Sequence, residues 1–131
     1  MPYTIDSDGR LVEVTLAGRL GYETIAAMLE ELEELATAAL PIGLAVLIDE
    51  TDASPGLLGI GDVRKWIDRW KRATALKQGR IAVVAPTLVM FGLNRMAHGF
   101  AGKESDDHLA VFRDRAAALD WLLGAESSPD Y

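Results

Sequence analysis

Residues 44–61 of the chain read LAVLIDETDASPGLLGIG, five apolar residues followed by carboxylates, hydroxyls, a proline and glycines. A half-exposed strand would alternate apolar and polar residues, so the unbroken run at 44–48 predicts a strand covered on both faces. The polar residues after it predict a loop. Ligands in open α/β sheets bind at the carboxyl ends of such strands, and we therefore expect function at this place.

The composition is typical of a globular protein and excludes cysteine chemistry. The chain has 131 residues, half of them hydrophobic and a quarter charged, which predicts a single domain over 1–124 and a flexible tail at 125–131. The absence of cysteine excludes disulfides, thiol catalysis and cysteine-ligated zinc. No signal-peptide pattern opens the sequence, and no apolar run reaches the ~18 residues of a membrane span. We expect a cytoplasmic protein with no integral membrane association.

Charge is distributed unevenly along the chain. The net charge of −7 argues against nucleic acid as a partner, because phosphate binding needs a basic surface. Residues 62–80 nevertheless carry seven basic and two acidic side chains, a net +5, while the rest of the chain carries −12. The opposite extreme is the acidic run EELEE at 30–34. These segments are either two solvated helix faces or a polar surface that orients a partner or a second copy.

Apolar residues recur with strand or helix spacing along the chain. Residues 3–5 and 11–17 flank an Asp-Gly pair, which is a strong hairpin signal. Helices and strands then alternate, which is typical of right-handed βαβ units. The fold class predicted is α/β, with a mainly parallel five-stranded sheet, an N-terminal antiparallel hairpin and the order β-β-α-β-α-β-α-β-α. The predicted later elements are helix 22–39, strand 44–48, a helix that begins near Ile60 and ends at Gln78-Gly79, strand 80–85, a helix after Thr87, strand 109–112 and a helix capped by Asp114.

The apolar spacing also predicts which helix faces are buried. Because successive crossovers in one direction land on the same side of a sheet, we expect all helices on one face. A homodimer contact or the amino-terminal segment would then cover the other. The predicted inward residues are Ile60, Val63, Ile67, Trp70 and Thr74 of the second helix, with Trp66 and Ala73 at its edge, Val89, Leu93, Met96 and Phe100 of the third, and Ala117, Ala118, Trp121 and Leu122 of the last.

This order of elements, together with four segments, resembles the bacterial SpoIIAA-like family, which is related to STAS domains and to the lipid-binding Sec14 (CRAL-TRIO) fold. The segments are the strand ending in LID at 47–49, the Trp-bearing helix after it, the strand IAVV at 81–84, and VFRDRAAALDWL at 111–122. The resemblance implies a β/α superhelix with nearly sequential strands and a role in binding or regulation. In the anti-sigma-factor antagonists of that family a phosphorylatable serine follows this strand in an Asp-Ser-Ser-Gly setting. The matching region here reads DASPG at 52–56, where Ser54 is the corresponding hydroxyl at an altered spacing.

Several side chains are candidates for a binding surface. Phe91, Arg95 and His98 fall opposite the apolar stripe of the third helix, where a phenylalanine is exposed or lines something. With the strand-end loop and an indole at a stripe edge, they form the mouth of an apolar pocket, a subunit contact, or scattered surface hydrophobes. The candidate ligand- or partner-binding residues are Asp49, Ser54, Leu57, Leu58, Trp66, Phe91, Arg95 and His98.

No motif in the chain predicts catalysis, a metal or a cofactor. Asp49, Glu50 and Asp52 have the chemistry to ligate a hard cation, but their spacing does not match a calcium loop. Ser54 lacks the Gly-x-Ser-x-Gly elbow that a nucleophile triad with His98 or His108 would need. The glycine-rich segment 56–61 lacks the spacing of a phosphate-binding loop.

Three functions remain open at this point. The first is a non-enzymatic STAS-like or SpoIIAA-like module that binds a protein partner or a small apolar or anionic ligand through the strand-end loops and the third helix. The second is a Sec14-like carrier that holds a lipid or another amphiphile between the third helix and the sheet. The third is a small metal-dependent hydrolase that uses the three acidic residues and a histidine.

Overall fold

The computed structural model describes residues 3–8, 11–40, 43–56 and 58–124, with Glu104 described by its backbone alone. Its strands and helices follow the predicted order. The turn of the predicted hairpin, at Gly9 and Arg10, and the predicted tail at 125–131 lie outside the described residues. The elements are β1 (Tyr3–Asp8), β2 (Leu11–Arg19), α1 (Tyr22–Ala38), β3 (Ala45–Ser54), α2 (Ile60–Arg72), β4 (Arg80–Val84), α3 (Leu88–Ala101), β5 (Leu109–Phe112) and α4 (Arg115–Leu122), with 3₁₀ turns at Leu76–Gln78 and Lys103–Ser105.

The five strands form one sheet in sequential order, β1-β2-β3-β4-β5. β1 pairs antiparallel with β2, and every other pair is parallel, which confirms the predicted fold class. β3 and β4 lie side by side and point the same way, with Ala45 opposite Arg80 and Asp49 opposite Val84. The two buried strands at the centre of the prediction are therefore neighbours.

β3 is longer than predicted, because the polar residues after Ile48 continue the strand. The prediction of a loop directly after residue 48 is wrong. Beyond Asp49, where the pairing with β4 ends, β3 still pairs with β2, with Ala17 opposite Asp52 and Arg19 opposite Ser54. A register shift near Thr15 separates this part from the regular ladder. This part of β3 pairs with a neighbouring strand on one side only. Its other edge is open, and polar residues are favourable at such an edge.

Helices cover both faces of the sheet, so the prediction that all of them lie on one face is wrong. α1, α2 and α3 pack with alternate residues of β2 to β5 in one apolar cluster. α4 packs on the opposite face over β3, β4 and β5, where Phe112 and Trp121 lie with ring centroids 5.8 Å apart. Ala118, Trp121 and Leu122 of α4 are buried against this face. α4 therefore covers the face for which the sequence predicts a second copy or the amino-terminal segment.

Two predicted helix stripes are only partly right, and α2 ends at Arg72 and not at the predicted Gln78-Gly79. In α2, Val63, Ile67 and Trp70 are buried as predicted, whereas Ile60 is 62% exposed and Thr74 is exposed beyond the helix end. In α3, Val89 is 63% exposed, because the helix turns Met90 and Ala101 towards the sheet instead. The prediction chose the most apolar stripe, and the true inward face of α3 includes Asn94.

Side-chain caps fix the starts of the last two helices. The hydroxyl of Thr87 accepts the backbone N–H of Met90 at 3.3 Å, and the carboxylate of Asp114 accepts that of Ala117 at 3.1 Å. Each cap satisfies one of the donors that a helix start leaves without an intrahelical partner. The predicted cap at Asp114 is confirmed.

The amino ends of β3 and β4 approach so closely that only glycine fits between them. A Cβ placed on Gly79 would lie 1.9 Å from the carbonyl oxygen of Leu44. That oxygen accepts the backbone N–H of Arg80 at 3.0 Å, so the contact belongs to the pairing of the two strands. Gly43, on the other side, has φ +85°, in the left-handed region that favours glycine.

Replacing Gly79 with alanine is expected to destabilise the fold. The methyl group has to displace backbone, and overpacking of this kind costs about 1–3 kcal/mol in the free energy of unfolding. Gly92→Ala is the matched control, because Gly92 is exposed within α3 and a Cβ there meets nothing within 4 Å. It should stabilise by about 0.5–1 kcal/mol. Urea denaturation of both variants and of the wild type measures the loss of stability predicted for Gly79→Ala and the gain predicted for Gly92→Ala. Equal stabilities of the two variants would contradict the close approach of β3 and β4 at Gly79.

Candidate functional site

The alternation of side chains along β3 separates its two adjacent carboxylates. Asp49 faces α4, where Arg115 donates to it at 3.2 Å and to Glu13 of β2 at 2.8 Å. Asp49 also accepts the backbone N–H and the hydroxyl of Thr51, at 3.0 and 2.6 Å. Glu50 points to the other face, under α1, α2 and α3. Asp49 therefore serves the fold, as an anchor for α4.

An internal cavity of about 100 Å³ lies between the sheet and the first three helices. Its walls are almost entirely apolar, and Glu50 is the only ionisable group among the described residues that line it. Inward-facing residues of the three helices and of β3, β4 and β5 build these walls. Representative lining residues are Ile48, Val83 and Val111 from the sheet and Met28, Ile67 and Leu93 from the helices.

Glu50 and Asn94 form the polar end of the cavity. Glu50 is 6% exposed, and the side-chain Nδ2 of Asn94 donates a short hydrogen bond to its Oε1. The same Nδ2 donates to the carbonyl of Met90, one turn earlier in α3, at 2.8 Å. This second bond fixes the amide rotamer, so the donor is held in place over the carboxyl group.

Burial raises the pKa of Glu50 to about 8. Desolvation is the main cause, because a carboxylate loses its hydration in an apolar site. The Asn94 hydrogen bond lowers the pKa and offsets part of this effect, while the negative charge of Asp49 adds to the rise. At neutral pH the Glu50 side chain is therefore mostly a neutral acid, with one O–H donor to offer.

One aromatic side chain lines another side of the cavity, and a second packs against it. Trp66 lines it, and its ring stacks on Tyr22 with centroids 6.0 Å apart and an interplanar angle of 9°. The indole Nε1–H of Trp66 donates to the backbone carbonyl of Tyr22 at 3.3 Å. Lys65 lies over the outer face of the Tyr22 ring, 5.5 Å from its centroid. This stack joins the start of α1 to the middle of α2.

The structure distributes the eight predicted site residues over several places, and Trp66 is the one that lines the cavity. Asp49 belongs to the α4 face, and Leu57 lies outside the described residues. Ser54 is exposed at the end of β3, where its carbonyl accepts the N–H of Leu20. Leu58 and Phe91 are half-buried against the large core, Arg95 is exposed, and His98 Nε2 lies 3.4 Å from Asp106.

The acidic cluster considered for a metal is divided by the sheet. Asp49 and Glu50 face opposite sides, and Asp52 is exposed further along the strand. Within the described ranges, no group of three or more His, Asp or Glu side chains is placed to hold a metal ion.

Sequence analysis named Glu50 only as a candidate metal ligand, not as a cavity residue, and it missed Asn94. The spacing of β3 contained the signal for Glu50, since Val46, Ile48 and Glu50 share one parity and hence one face. Asn94 follows Met90 by four residues, which places the two on the same side of α3. That signal becomes usable only once Met90 is known to be buried.

The chain is similar to solved structures of known fold. A crystal structure of an uncharacterized protein from Shewanella loihica PV-4, of the DUF3478 family and with a SpoIIAA-like fold, matches 92% of this chain over 91% of its own length, at 22% identity and a TM-score of 0.50. No family model matches the chain, and no curated protein does. Among the described helices none is long and apolar enough to cross a membrane. The chain thus has the SpoIIAA-like α/β fold that its sequence implied.

Proposed function

We propose that this chain is a non-enzymatic binding module that takes a small, mainly apolar molecule into the cavity between α3 and the sheet. The observation that carries the proposal is a buried acid at the end of an apolar cavity, held by Asn94. Burying a carboxyl group in a core is costly, and cores of this size are ordinarily filled by apolar side chains alone. A ligand with one hydrogen-bonding group would use the acid.

The cavity volume limits the size of the ligand. An apolar cavity of about 150 Å³ holds one benzene molecule, so about 100 Å³ holds roughly four non-hydrogen atoms. A long acyl chain is far larger than this. The size supports the small-amphiphile form of the carrier hypothesis over the lipid form.

Binding is supported better than catalysis by the groups that face the cavity. General acid–base or nucleophilic catalysis needs at least two reacting groups within hydrogen-bond reach of the substrate. Glu50 has a neutral amide as its side-chain hydrogen-bond partner, and the remaining described lining is apolar or indole. Such an arrangement orients a ligand and selects its polarity.

The state of Glu50 predicts how stability depends on pH. A folded-state pKa of about 8, above the ordinary 4.5, means that the native state binds the proton more tightly than the unfolded chain. This contribution is fully present below about pH 4.5 and is lost as the pH rises towards 8, by up to about 1.4 kcal/mol per pH unit. Glu50→Gln removes it, so the variant should gain stability relative to the wild type across that window.

Urea denaturation at a series of pH values measures this difference. Glu34→Gln is the control, because Glu34 is exposed on α1 and its difference from the wild type should stay flat with pH. Parallel curves for Glu50→Gln and the wild type would contradict a neutral, buried Glu50.

Acetone is a suitable probe for the cavity, because it has four non-hydrogen atoms and a carbonyl that only accepts hydrogen bonds. We expect saturable shifts of the methyl NMR signals of Ile48 and Ile67, which line the cavity, and weaker binding above pH 8 as Glu50 ionises. Ala97→Leu should abolish these shifts, since Ala97 lines the cavity and a larger side chain fills it. Ala27→Leu, on the exposed face of α1, should leave them unchanged. Absence of saturation in the wild type would refute the proposal.

A further inference from the structure

A second, more open cleft of about 300 Å³ lies at the amino ends of β4 and β5. It is formed where the end of α2 and the 3₁₀ turn at Leu76–Gln78 meet the end of α3 and the segment before β5. Its described lining is Trp70, Lys71, Lys77, Ala101, Ser105 and His108. In contrast to the internal cavity, no acidic side chain is among these residues.

The two lysines of the cleft have no counter-charge in the described part of the chain. Arg69, on the same helix, pairs with Glu33 of α1 at 3.1 Å, so part of the basic charge of α2 is neutralised by the acidic helix. No described carboxylate pairs with Lys71 or Lys77 in this way, although the chain as a whole carries −7. Two ammonium groups thus border a concave surface of an acidic protein.

A neutral donor accompanies the two lysines. Trp70 is 4% exposed, and its indole Nε1–H has no acceptor among the described residues, which is rare for a buried donor. His108 is oriented by its ring Nδ1, which donates to the carbonyl of Gly79 at 2.9 Å. The Ser105 hydroxyl already donates to the carbonyl of Gly102 at 2.6 Å. The described lining of the cleft therefore carries positive charge and no carboxylate, and it includes an indole whose N–H has no acceptor among the described residues.

We propose that this cleft binds a small oxyanion, the carboxylate or phosphate group of a ligand. A charged oxyanion accepts several hydrogen bonds at once and forms strong, short ones with ammonium groups. It would supply the acceptor and the negative charge that the cleft lacks. This site is separate from the internal cavity and does not depend on the function proposed for it.

NMR titration of the full chain with inorganic phosphate, and in parallel with acetate, tests this site. The Nε1–H signal of Trp70, assigned by its loss in Trp70→Phe, should shift saturably with one of the two anions, and the anion that binds more tightly identifies the group. Lys71→Gln together with Lys77→Gln should weaken binding by about tenfold or more, as expected when charged hydrogen bonds are lost.

The control is Arg64→Gln together with Lys65→Gln, the same change of charge at exposed positions of α2 outside the cleft. It should change the affinity less than about twofold, because screened charges act weakly at a distance. Equal losses in the two double variants would overturn the proposal in favour of a general effect of net charge, and a Trp70 signal that neither anion shifts would overturn it outright. If the double substitution of Lys71 and Lys77 unfolds the chain, each single lysine variant is compared with a single control variant in the same way.

Discussion

The parallel pairing of β3 with β2 and β4 is the constraint on which the rest of the structure depends. Because side chains alternate along a strand, one strand at the centre of the sheet has to satisfy two cores. Val46 and Ile48 enter the large core under three helices, and Leu47 enters the smaller core under α4. The unbroken apolar run is the sequence consequence of this double burial.

The same alternation explains why two adjacent acids have different environments. Asp49 continues the parity of Leu47 and forms an ion pair with Arg115 near the surface. Glu50 continues the parity of Ile48 and enters the apolar cavity, where no cation is placed to pair with it. Protonation is the cheaper way to bury it, since an unpaired carboxylate in such a site loses most of its hydration. A shift of register by one residue would exchange these two environments.

How much could be predicted from the sequence depended on whether the signal was local. Strand and helix order follow from periodicity and turn chemistry within short windows, so the pattern around residues 44–48 and the cap at Asp114 were sufficient for the fold class. The end of β3 was not predictable in this way, because its last residues are held by β2 and not by their own apolar character. The face covered by α4 could not be predicted from crossover handedness, because α4 follows the last strand and does not connect two strands.

The candidate site depended on the least local information of all. An asparagine on a helix is normally assigned to the solvent side, and it took the packing of Met90 and Ala101 to turn Asn94 inwards over Glu50. Propensity and hydropathy alone favoured the stripe through Val89, which is exposed. Departures of this kind from local rules are expected at functional or strained positions, since elsewhere a polar residue facing a core would be replaced by an apolar one.

Trp70 separates two environments that differ in the charge they accept. Its ring lines both the internal cavity and the cleft at the amino ends of β4 and β5. On the cavity side, walls of low polarity make any net charge expensive, and even the resident acid takes up a proton. On the cleft side, Lys71 is exposed and remains hydrated, so a charge there is stabilised by water as well as by a partner. Trp70 thus borders both a cavity in which a net charge is costly and a cleft in which a charge is hydrated.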